Sequence, residues 1–552
     1  MRNILHFYHS LSIRDRRVVF FVVLGALLLS SLPYLFGPLL AGQHFTYLGM
    51  YPTGPGDTNV YFSFIRQAMQ GKVLFENLHT GEPQHGTIFH PLWLILGWGA
   101  ALFRLSPVLL FHVARAVLGG IFLLFFYYFL SFIFSDSRRR NIAFVLAAFS
   151  SGIGVFFSIG LSIWDPISGM LLLPADQWIT ESNTFLTLMH SPLFILAQLL
   201  LLVLFWLFLQ EATIKNFFLV GGLFLLLVLL HPYDLLTIAI VLPSFILVRI
   251  LRDPTFTPEA LRRALKRLVL LAVCAVPPIL AYLVAARSEV AIGGWMKRNI
   301  TMSPPIHSYL LGYGLLLAFA VAGFVALRKS RSPFHLFLLT WVVVSGLLLY
   351  IPMQFNRRMS NGLHVPIVIL AAVGIDLLWR WVRTILPRRE MLRTAVRASF
   401  LWVVGIGLFF TTITLTANAI SWEWNPAESI YYLPRGVADG MDWLGSHADP
   451  QAVILSHAYN GNIFPARTGL RVYIGHGHQT VDYETKQHLV NTWFFRTDRD
   501  DAAKEHFLNS NNIAYLFFSH LEDALGTYQP SEKPYLEAVY TNSNVTIYHV
   551  RR

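Results

Sequence analysis

The sequence predicts an α-helical polytopic membrane protein that ends in a soluble α/β domain. The chain is 55% hydrophobic and 13% charged, with a mean hydropathy of +0.54, whereas soluble domains carry about 25% charged residues. Apolar runs of membrane-spanning length recur as far as residue 418. Beyond it, short helical and strand-like runs alternate at the hydrophobicity of a soluble domain. We therefore expect a membrane module at 1–418 and a separate domain at 419–552.

Apolar runs long enough to cross a bilayer define the predicted membrane module. A spanning helix needs about 17–25 predominantly apolar residues. The run at 91–103 is apolar but too short, so we expect it to be re-entrant or interfacial. About eleven spans are predicted, at roughly 18–40, 108–134, 142–163, 191–210, 217–231, 235–251, 268–286, 308–327, 335–353, 364–382 and 398–418.

Basic residues in the short loops predict the orientation. Arginines precede the first span, and the cluster Arg138–Arg140 falls on the same side if 91–103 does not cross. Because such residues favour the cytoplasm, we expect a cytoplasmic N-terminus and an extracytoplasmic 419–552. An anionic partner would explain basic residues that fall outside against this rule. These are Arg287, Lys297, Arg298, Arg357 and Arg358.

The first outside loop, 41–107, contains the first long polar stretch of the chain, Tyr51–Trp93. Gly54, Pro55 and Gly56 place Asp57 at a turn just outside the first span. Apolar residues then recur at helical spacing, which predicts a short amphipathic helix over 58–71. Two interpretations of Asp57 stay open: an active-site carboxylate at the membrane surface, or a residue that only caps this helix.

Other unusual polar side chains also fall on the predicted outer face. Carboxylates and histidines there could serve as general bases or metal ligands, and arginines could hold phosphate oxygens. Each has a structural alternative: a solvated loop residue, the end of a span, or a contact with lipid headgroups. The candidates are His85, His90, Asp176, Glu181, His231 and Asp234, with Lys297, Arg298, Arg357 and Arg358 as cations.

Several function classes lack support in the sequence. The motifs GxGxxG, Walker A and HExxH do not occur. The single cysteine, Cys274, lies in an apolar run, so no intramolecular disulfide is expected. The net charge is +12, but many basic residues flank spans and set orientation. We therefore predict the lipid bilayer, and no nucleic acid, as a partner.

The layout of the chain resembles the GT-C superfamily of polytopic glycosyltransferases, which includes protein O-mannosyltransferases and aminoarabinose transferases. The matching pieces are GDTNVYF at 56–62, HPLWLILGWGAALF at 90–103 and the basic cluster at 138–140. The resemblance implies an extracytoplasmic enzyme that takes a sugar from a polyprenyl-phosphate donor. It implies Asp57 as the catalytic base and Glu181 as a second acidic position. Cations for the donor phosphate could come from Lys297, Arg298, Arg357 and Arg358.

Some features of the family pattern are missing. The second outside loop has no clear Asp-Xaa-Asp, and the C-terminal region has no WWD-type motif. No cofactor is therefore certain, and a divalent metal is left open. The acceptor is also open: a glycan, a lipid or a protein. A polysaccharide polymerase or ligase shares this architecture. A transporter is the third alternative. Ionisable residues in the middle of spans and repeat symmetry would favour it. The sequence shows no internal repeat, and Asp376 is the exception among ionisable residues that cluster mainly at one face.

Overall fold

The structure, a computed structural model, describes residues 2–52, 54–159, 164–165, 170–171, 173–211, 213–385 and 390–551. Most of these residues are helical. In chain order the helices are α1 (Arg2–Ser10), α2 (Ile13–Ala41), α3 (Pro55–Met69), α4 (Pro91–Phe103), α5 (Pro107–Leu130), α6 (Ser137–Phe149), α7 (Val155–Ile159), α8 (Ala175–Trp178), α9 (Thr184–His190), α10 (Pro192–Leu209), α11 (Ile214–Leu230), α12 (Asp234–Arg252), α13 (Pro258–Ser288), α14 (Val290–Arg298), α15 (Ile306–Leu327), α16 (Pro333–Leu348), α17 (His364–Ile385), α18 (Glu390–Trp422), α19 (Arg435–His447), α20 (Ala458–Thr468), α21 (Tyr483–His488), α22 (Asp501–Ser510) and α23 (His520–Asp523).

Short 3₁₀ and π turns and nine strands complete the described elements. The 3₁₀ turns are Thr180–Ser182, Asn356–Ser360 and Pro530–Glu532, and the π turn is Leu489–Phe494. The strands are β1 (Phe45–Tyr47), β2 (Trp164–Asp165), β3 (Met170–Leu171), β4 (Tyr432–Pro434), β5 (Val453–Leu455), β6 (Arg471–Val472), β7 (Ile513–Ser519), β8 (Leu536–Thr541) and β9 (Val545–Val550).

Among the described residues, eight helices are long and apolar enough to cross a membrane, namely α2, α5, α10, α12, α13, α15, α17 and α18. Three apolar helices of 10–17 residues are shorter: α4, α11 and α16. The prediction of a polytopic helical membrane protein is thus confirmed, with eight helices of spanning length instead of about eleven. The 13-residue α4 coincides with the segment that the sequence predicts to be too short to cross.

The prediction of one continuous span at 142–163 is wrong. Helix α6 ends at Phe149, and a turn of non-helical backbone separates it from α7. The carboxylate of Asp176 holds this turn, because its Oδ2 accepts hydrogen bonds from the Ser151 hydroxyl (3.0 Å) and from the backbone N–H groups of Gly152 (2.9 Å) and Gly154 (3.2 Å). A distant side chain therefore satisfies backbone donors that leave the helix. Residues 160–163 of this prediction lie outside the described residues.

The surface helix after the first span begins earlier than the sequence predicts. Gly54 is the N-cap of α3, with φ of 94°, and Pro55 follows at the first helical position, where its missing N–H is not needed. Asp57 consequently lies inside the first turn of α3 and is not its cap. The capping interpretation of Asp57 is therefore wrong.

The described chain forms two compact units. Unit 1 comprises Met1–Pro33, His112–Pro278 and Thr301–Ser421. Its tightest helix pair is α15 with α17, where two glycines let the backbones meet: a Cβ at Gly323 would lie 1.9 Å from the carbonyl oxygen of Leu370, and one at Gly374 would lie 2.1 Å from that of Phe319. Unit 1 also contains the 3₁₀ turns that carry Glu181, Arg357 and Arg358.

Unit 2 comprises Tyr34–Phe111, Ile279–Ile300 and Trp422–Arg552. Its five-stranded sheet has the order β6-β5-β7-β9-β8, with β5 parallel to β6 and β7, and β9 antiparallel to β7 and β8. Two apolar clusters contribute to its core, one including Met441, Phe464 and Phe517, the other including Phe494 and Tyr528. The predicted C-terminal α/β fold is confirmed, and it shares its unit with α3, α4 and α14.

Candidate active site

The predicted site residues lie mainly in two polar clusters, one in each unit. The Glu181 cluster of unit 1 consists of Glu181, His231, Asp234, Arg357, Arg358 and Asn361. The Asp57 cluster of unit 2 consists of Asp57, His79, His476, His478 and Arg298. Each is described by itself.

A buried ion pair forms the centre of the Glu181 cluster. Glu181 lies on the 3₁₀ turn Thr180–Ser182 with only 2% of its surface exposed, and the guanidinium of Arg358 donates to its carboxylate. Burial raises the pKa of Glu181, but the charges of Arg358 and Arg357 outweigh burial and lower that pKa to about 2. Glu181 is therefore an ionised carboxylate at neutral pH.

Aromatic rings hold both arginines of this cluster. The guanidinium carbon of Arg358 lies 5.7 Å from the ring centres of Phe194 and Tyr233, and that of Arg357 lies 4.9 Å from the ring of Trp178. Such distances permit cation–π attraction. The arginines that the sequence places outside against the orientation rule are thus fixed by rings and, for Arg358, by a carboxylate.

A histidine–carboxylate pair completes the Glu181 cluster. His231 Nδ1 lies 3.0 Å from Asp234 Oδ2, and the amide of Asn361 donates to both oxygens of that carboxylate at 3.0 and 2.9 Å. This pairing favours the imidazole tautomer with its hydrogen on Nδ1. His231 Nε2 is buried and has no hydrogen-bond partner among the described residues. In the neutral ring, that nitrogen is an acceptor that a ligand could use.

In the Asp57 cluster, an aspartate of α3 meets histidines of the C-terminal segment. Asp57 Oδ1 lies 3.0 Å from His476 Nε2, and the aspartate side chain is 51% exposed. The ring centre of His476 lies 6.2 Å from that of His79 and 5.9 Å from that of His478. Burial lowers the pKa of His79 to about 3 and also lowers that of His478. His79 is therefore neutral at physiological pH.

Arg298 supplies the cation of the Asp57 cluster. Burial, and after it nearby charges that include Arg298, lower the pKa of His478, so the end of α14 lies beside the histidines. The Nε and Nη2 atoms of Arg298 are buried and have no hydrogen-bond partner among the described residues. A guanidinium with unused buried donors is suited to an anionic ligand, because unpaired buried donors are costly.

The other predicted residues have different surroundings. His85 Nδ1 lies 3.3 Å from Glu289 Oε1. His90 is the N-cap residue of α4, and its ring stacks on Trp93 at 5.2 Å. Lys297 is exposed near the end of α14. Asp176 holds the Ser151–Gly154 turn, and burial raises its pKa to about 7. The roles of these residues stay predictions.

Two neighbours of Asp57 are missing from the sequence-based candidates: His476 and His478. They belong to the segment GHGHQT at 475–480, directly after the β6 region. The signal in the sequence that could have identified them is the pair of histidines separated by a glycine, directly after a strand-like run. Asn361, which supports Asp234, was also not assigned a specific partner by the sequence.

Metal binding was left open by the sequence. Across the described ranges, no three His, Cys, Asp or Glu side chains are grouped so that they could hold a metal ion. Protein metal sites generally draw several ligands from these residue types.

Comparisons with known proteins give matches to solved structures. No protein-family model and no curated protein matches the sequence. The oligosaccharyltransferase of Archaeoglobus fulgidus tethered with an acceptor peptide matches at 14% identity and a TM-score of 0.54, covering 97% of this chain and 74% of that chain. AglB from the same organism, in complex with an inhibitory peptide and a dolichol-phosphate, matches at 15% identity and 0.55, covering 92% and 70%.

A bacterial structure matches over nearly the full length of both chains. ArnT from Cupriavidus metallidurans bound to undecaprenyl phosphate is 14% identical, with a TM-score of 0.51, and the match covers 95% of this chain and 97% of that chain. AglB and ArnT are GT-C superfamily membrane glycosyltransferases. The chain described here therefore has the GT-C fold, which confirms the predicted resemblance at the level of fold.

Proposed function

We propose that this GT-C-fold chain is a membrane glycosyltransferase that moves a sugar from a polyprenyl-phosphate donor to an acceptor. Two of the similar structures support the class of donor, because one is a complex with a dolichol-phosphate and the other is bound to undecaprenyl phosphate. The observation that carries the proposal is the Asp57 cluster, in which a half-exposed carboxylate lies with Arg298, a guanidinium that retains unused donors. Such a cluster offers a base and an anion contact.

The proposed reaction needs one base and one leaving group. Asp57 accepts the proton of an acceptor hydroxyl while the hydroxyl oxygen attacks the anomeric carbon of the sugar. The bond between that carbon and the phosphate oxygen breaks, and polyprenyl phosphate leaves with the electron pair. Cations near the phosphate stabilise the charge that develops on it. No nucleotide is required, in agreement with the absence of nucleotide motifs from the sequence.

The donor phosphate is expected at a cation that keeps unused hydrogen-bond donors. Arg358 is paired with Glu181, and within the Glu181 cluster the other candidate is Arg357, which stacks on Trp178, with His231 Nε2 as a polar contact. In the Asp57 cluster the candidate is Arg298, with the exposed Lys297 beside it in sequence. We propose Arg298 as the principal phosphate contact, because its unused guanidinium donors are buried.

Arg298→Ala should raise the KM for the donor by about 10- to 100-fold, since a hydrogen bond to a charged group contributes about 1.5–3 kcal/mol. Arg298→Lys should recover only part of the loss, because the planar fork is gone. Arg357→Ala, measured in parallel, decides between the two clusters. A large effect from Arg357→Ala with none from Arg298→Ala would assign the phosphate to the Glu181 cluster instead.

Release of free polyprenyl phosphate is the test of the proposed function. The purified full chain in lipid nanodiscs is incubated with a panel of polyprenyl-phosphate sugars and a mixture of hydroxyl acceptors. We expect one donor to be cleaved, with its sugar recovered on an acceptor. A transporter would cleave none, so the absence of cleavage across the panel would contradict the proposal. Product size then separates single transfer from the polymerase or ligase alternative.

We propose an extracytoplasmic location for residues 419–552, with a cytoplasmic N-terminus, from the loop charges. In a Cys274→Ala background, Ser446→Cys should react with a membrane-impermeant maleimide on intact cells. Ser135→Cys should react only after permeabilisation. Both serines are exposed, so labelling reports the side of the membrane on which each residue lies and not whether the residue is buried. Labelling of Ser135→Cys on intact cells would reverse the assignment and indicate that 91–103 crosses the membrane.

A further inference from the structure

We infer that His476 is a positioning residue for Asp57: the C-terminal segment supplies an imidazole that holds the carboxylate in the orientation needed for proton transfer. This inference rests on the proposed role of Asp57 as the base. It assigns a function to a residue that is not among the sequence-based candidates and that the fold likeness does not indicate. Three features of unit 2 support it, namely the fixed turn that carries His476, the tautomer of its ring, and its close approach to α3.

Buried hydrogen bonds fix the turn that carries His476. The Thr480 hydroxyl donates to the backbone oxygen of His79 at 2.6 Å and accepts from the backbone N–H of Gly475 at 3.0 Å. The amide of Asn77 donates to the backbone oxygen of Gln479 at 2.7 Å. Thr480, His79 and Asn77 are all buried. The first polar loop therefore anchors the turn at Gln479 and Thr480, and Thr480 in turn holds Gly475, beside the imidazole. This is a rigid support for a functional side chain.

The hydrogen bonds of the His476 ring define its tautomer. The backbone N–H of His478 donates to His476 Nδ1 at 3.2 Å. Nδ1 must then carry a lone pair, so in the neutral ring the hydrogen is on Nε2. Nε2 lies 3.0 Å from Asp57 Oδ1. His476 therefore donates to the carboxylate, and a hydrogen bond to an ionised acceptor is among the stronger kinds.

A glycine lies where α3 approaches this turn. A Cβ at Gly56 would lie 3.1 Å from Asn462 Nδ2 and 3.2 Å from His476 Cδ2. A larger residue before Asp57 would therefore crowd the side chains of Asn462 and His476, and glycine favours the close approach of the carboxylate to the imidazole. The contact with the buried imidazole therefore restricts the rotamers of this half-exposed aspartate on the first turn of a helix. Positioning of this kind matters because a displacement of about 1 Å can reduce a rate by about 10²-fold.

The inference is tested with His476→Leu and His476→Gln in the full chain, because the glutamine amide can replace the Nε2 donor. We expect kcat to fall on the order of 10²-fold in His476→Leu, with the donor KM and the melting temperature unchanged, and most of kcat to return in His476→Gln. The matched control is His506→Leu, at an exposed position of α22. In an Asp57→Asn background, His476→Leu should have no further effect, because the two residues act as one unit.

Two outcomes would overturn the inference. One is wild-type kcat in His476→Leu. The other is an equal loss in His476→Leu and His476→Gln together with a lower melting temperature, which would indicate a purely structural residue. If the wild-type chain transfers no sugar, the proposed function fails, and the contact is tested by ¹⁵N NMR of labelled histidines. The signal that His476→Gln removes should show an Nε2–H tautomer that Asp57→Asn shifts. An unshifted signal would contradict the inference.

Discussion

Asp57→Asn should reduce sugar transfer by about 10²–10⁴-fold, which is the usual contribution of a general base, without unfolding the protein. Asparagine keeps the shape of the side chain and an oxygen that can accept the hydrogen bond from His476 Nε2. It cannot take up a proton. The change therefore removes the proposed chemistry and leaves the geometry of the cluster in place.

The structure makes this substitution more informative than the sequence alone could. Helix α3 is capped by Gly54, with Asp57 in its first turn, so a lost cap would not account for lower activity. Single-turnover rates at saturating donor provide the measurement, with melting temperature as the check on folding. Asp439→Asn, at an exposed position of α19, is the matched control. Near-normal turnover in folded Asp57→Asn would remove Asp57 from the site and leave Glu181 as the next candidate.

Hydropathy was sufficient to predict a polytopic helical membrane protein, because length and apolar content are local properties of a segment. It could not predict the end of α6 at Phe149. That break depends on three hydrogen bonds to Asp176 Oδ2, a side chain that lies beyond the next short helix. The start of α3 was misplaced for a local reason instead: glycine and proline at 54–55 were interpreted as a turn, although both suit a helix N-terminus.

The candidate site shows which side-chain contacts cannot be predicted from residue type and position in the sequence. The sequence identified Arg358 as a cation that needs an anionic partner, and the structure supplies one from the same chain, Glu181. Two residues predicted to have separate roles are thus one ion pair. His476 could not be linked to Asp57 from the sequence, because the contact depends on the folding of the first polar loop against the C-terminal segment.

The buried pair predicts the second large effect, which is on stability. Arg358→Ala should lower the free energy of unfolding by about 3 kcal/mol, because removal of one partner leaves a buried charge uncompensated. Glu181 has a lowered pKa of about 2 in the folded protein, against an ordinary value of 4.5. The contribution of the pair is therefore fully present above about pH 4.5 and is lost as the pH falls towards 2. The deficit of Arg358→Ala should shrink over the same range.

Melting of the full chain in detergent measures this deficit against Arg551→Ala, which breaks an ion pair with Glu537 whose side chains are 58% and 55% exposed. Exposed pairs contribute only about 0–1 kcal/mol, so the control should melt almost like the wild type. The double variant Glu181→Gln/Arg358→Met should recover most of the loss, since it leaves neither charge buried. If Arg358→Ala melts like the control, Glu181 is a solvated loop residue, as the sequence alone would allow, and the carboxylate is free to take the place of Asp57 as a base.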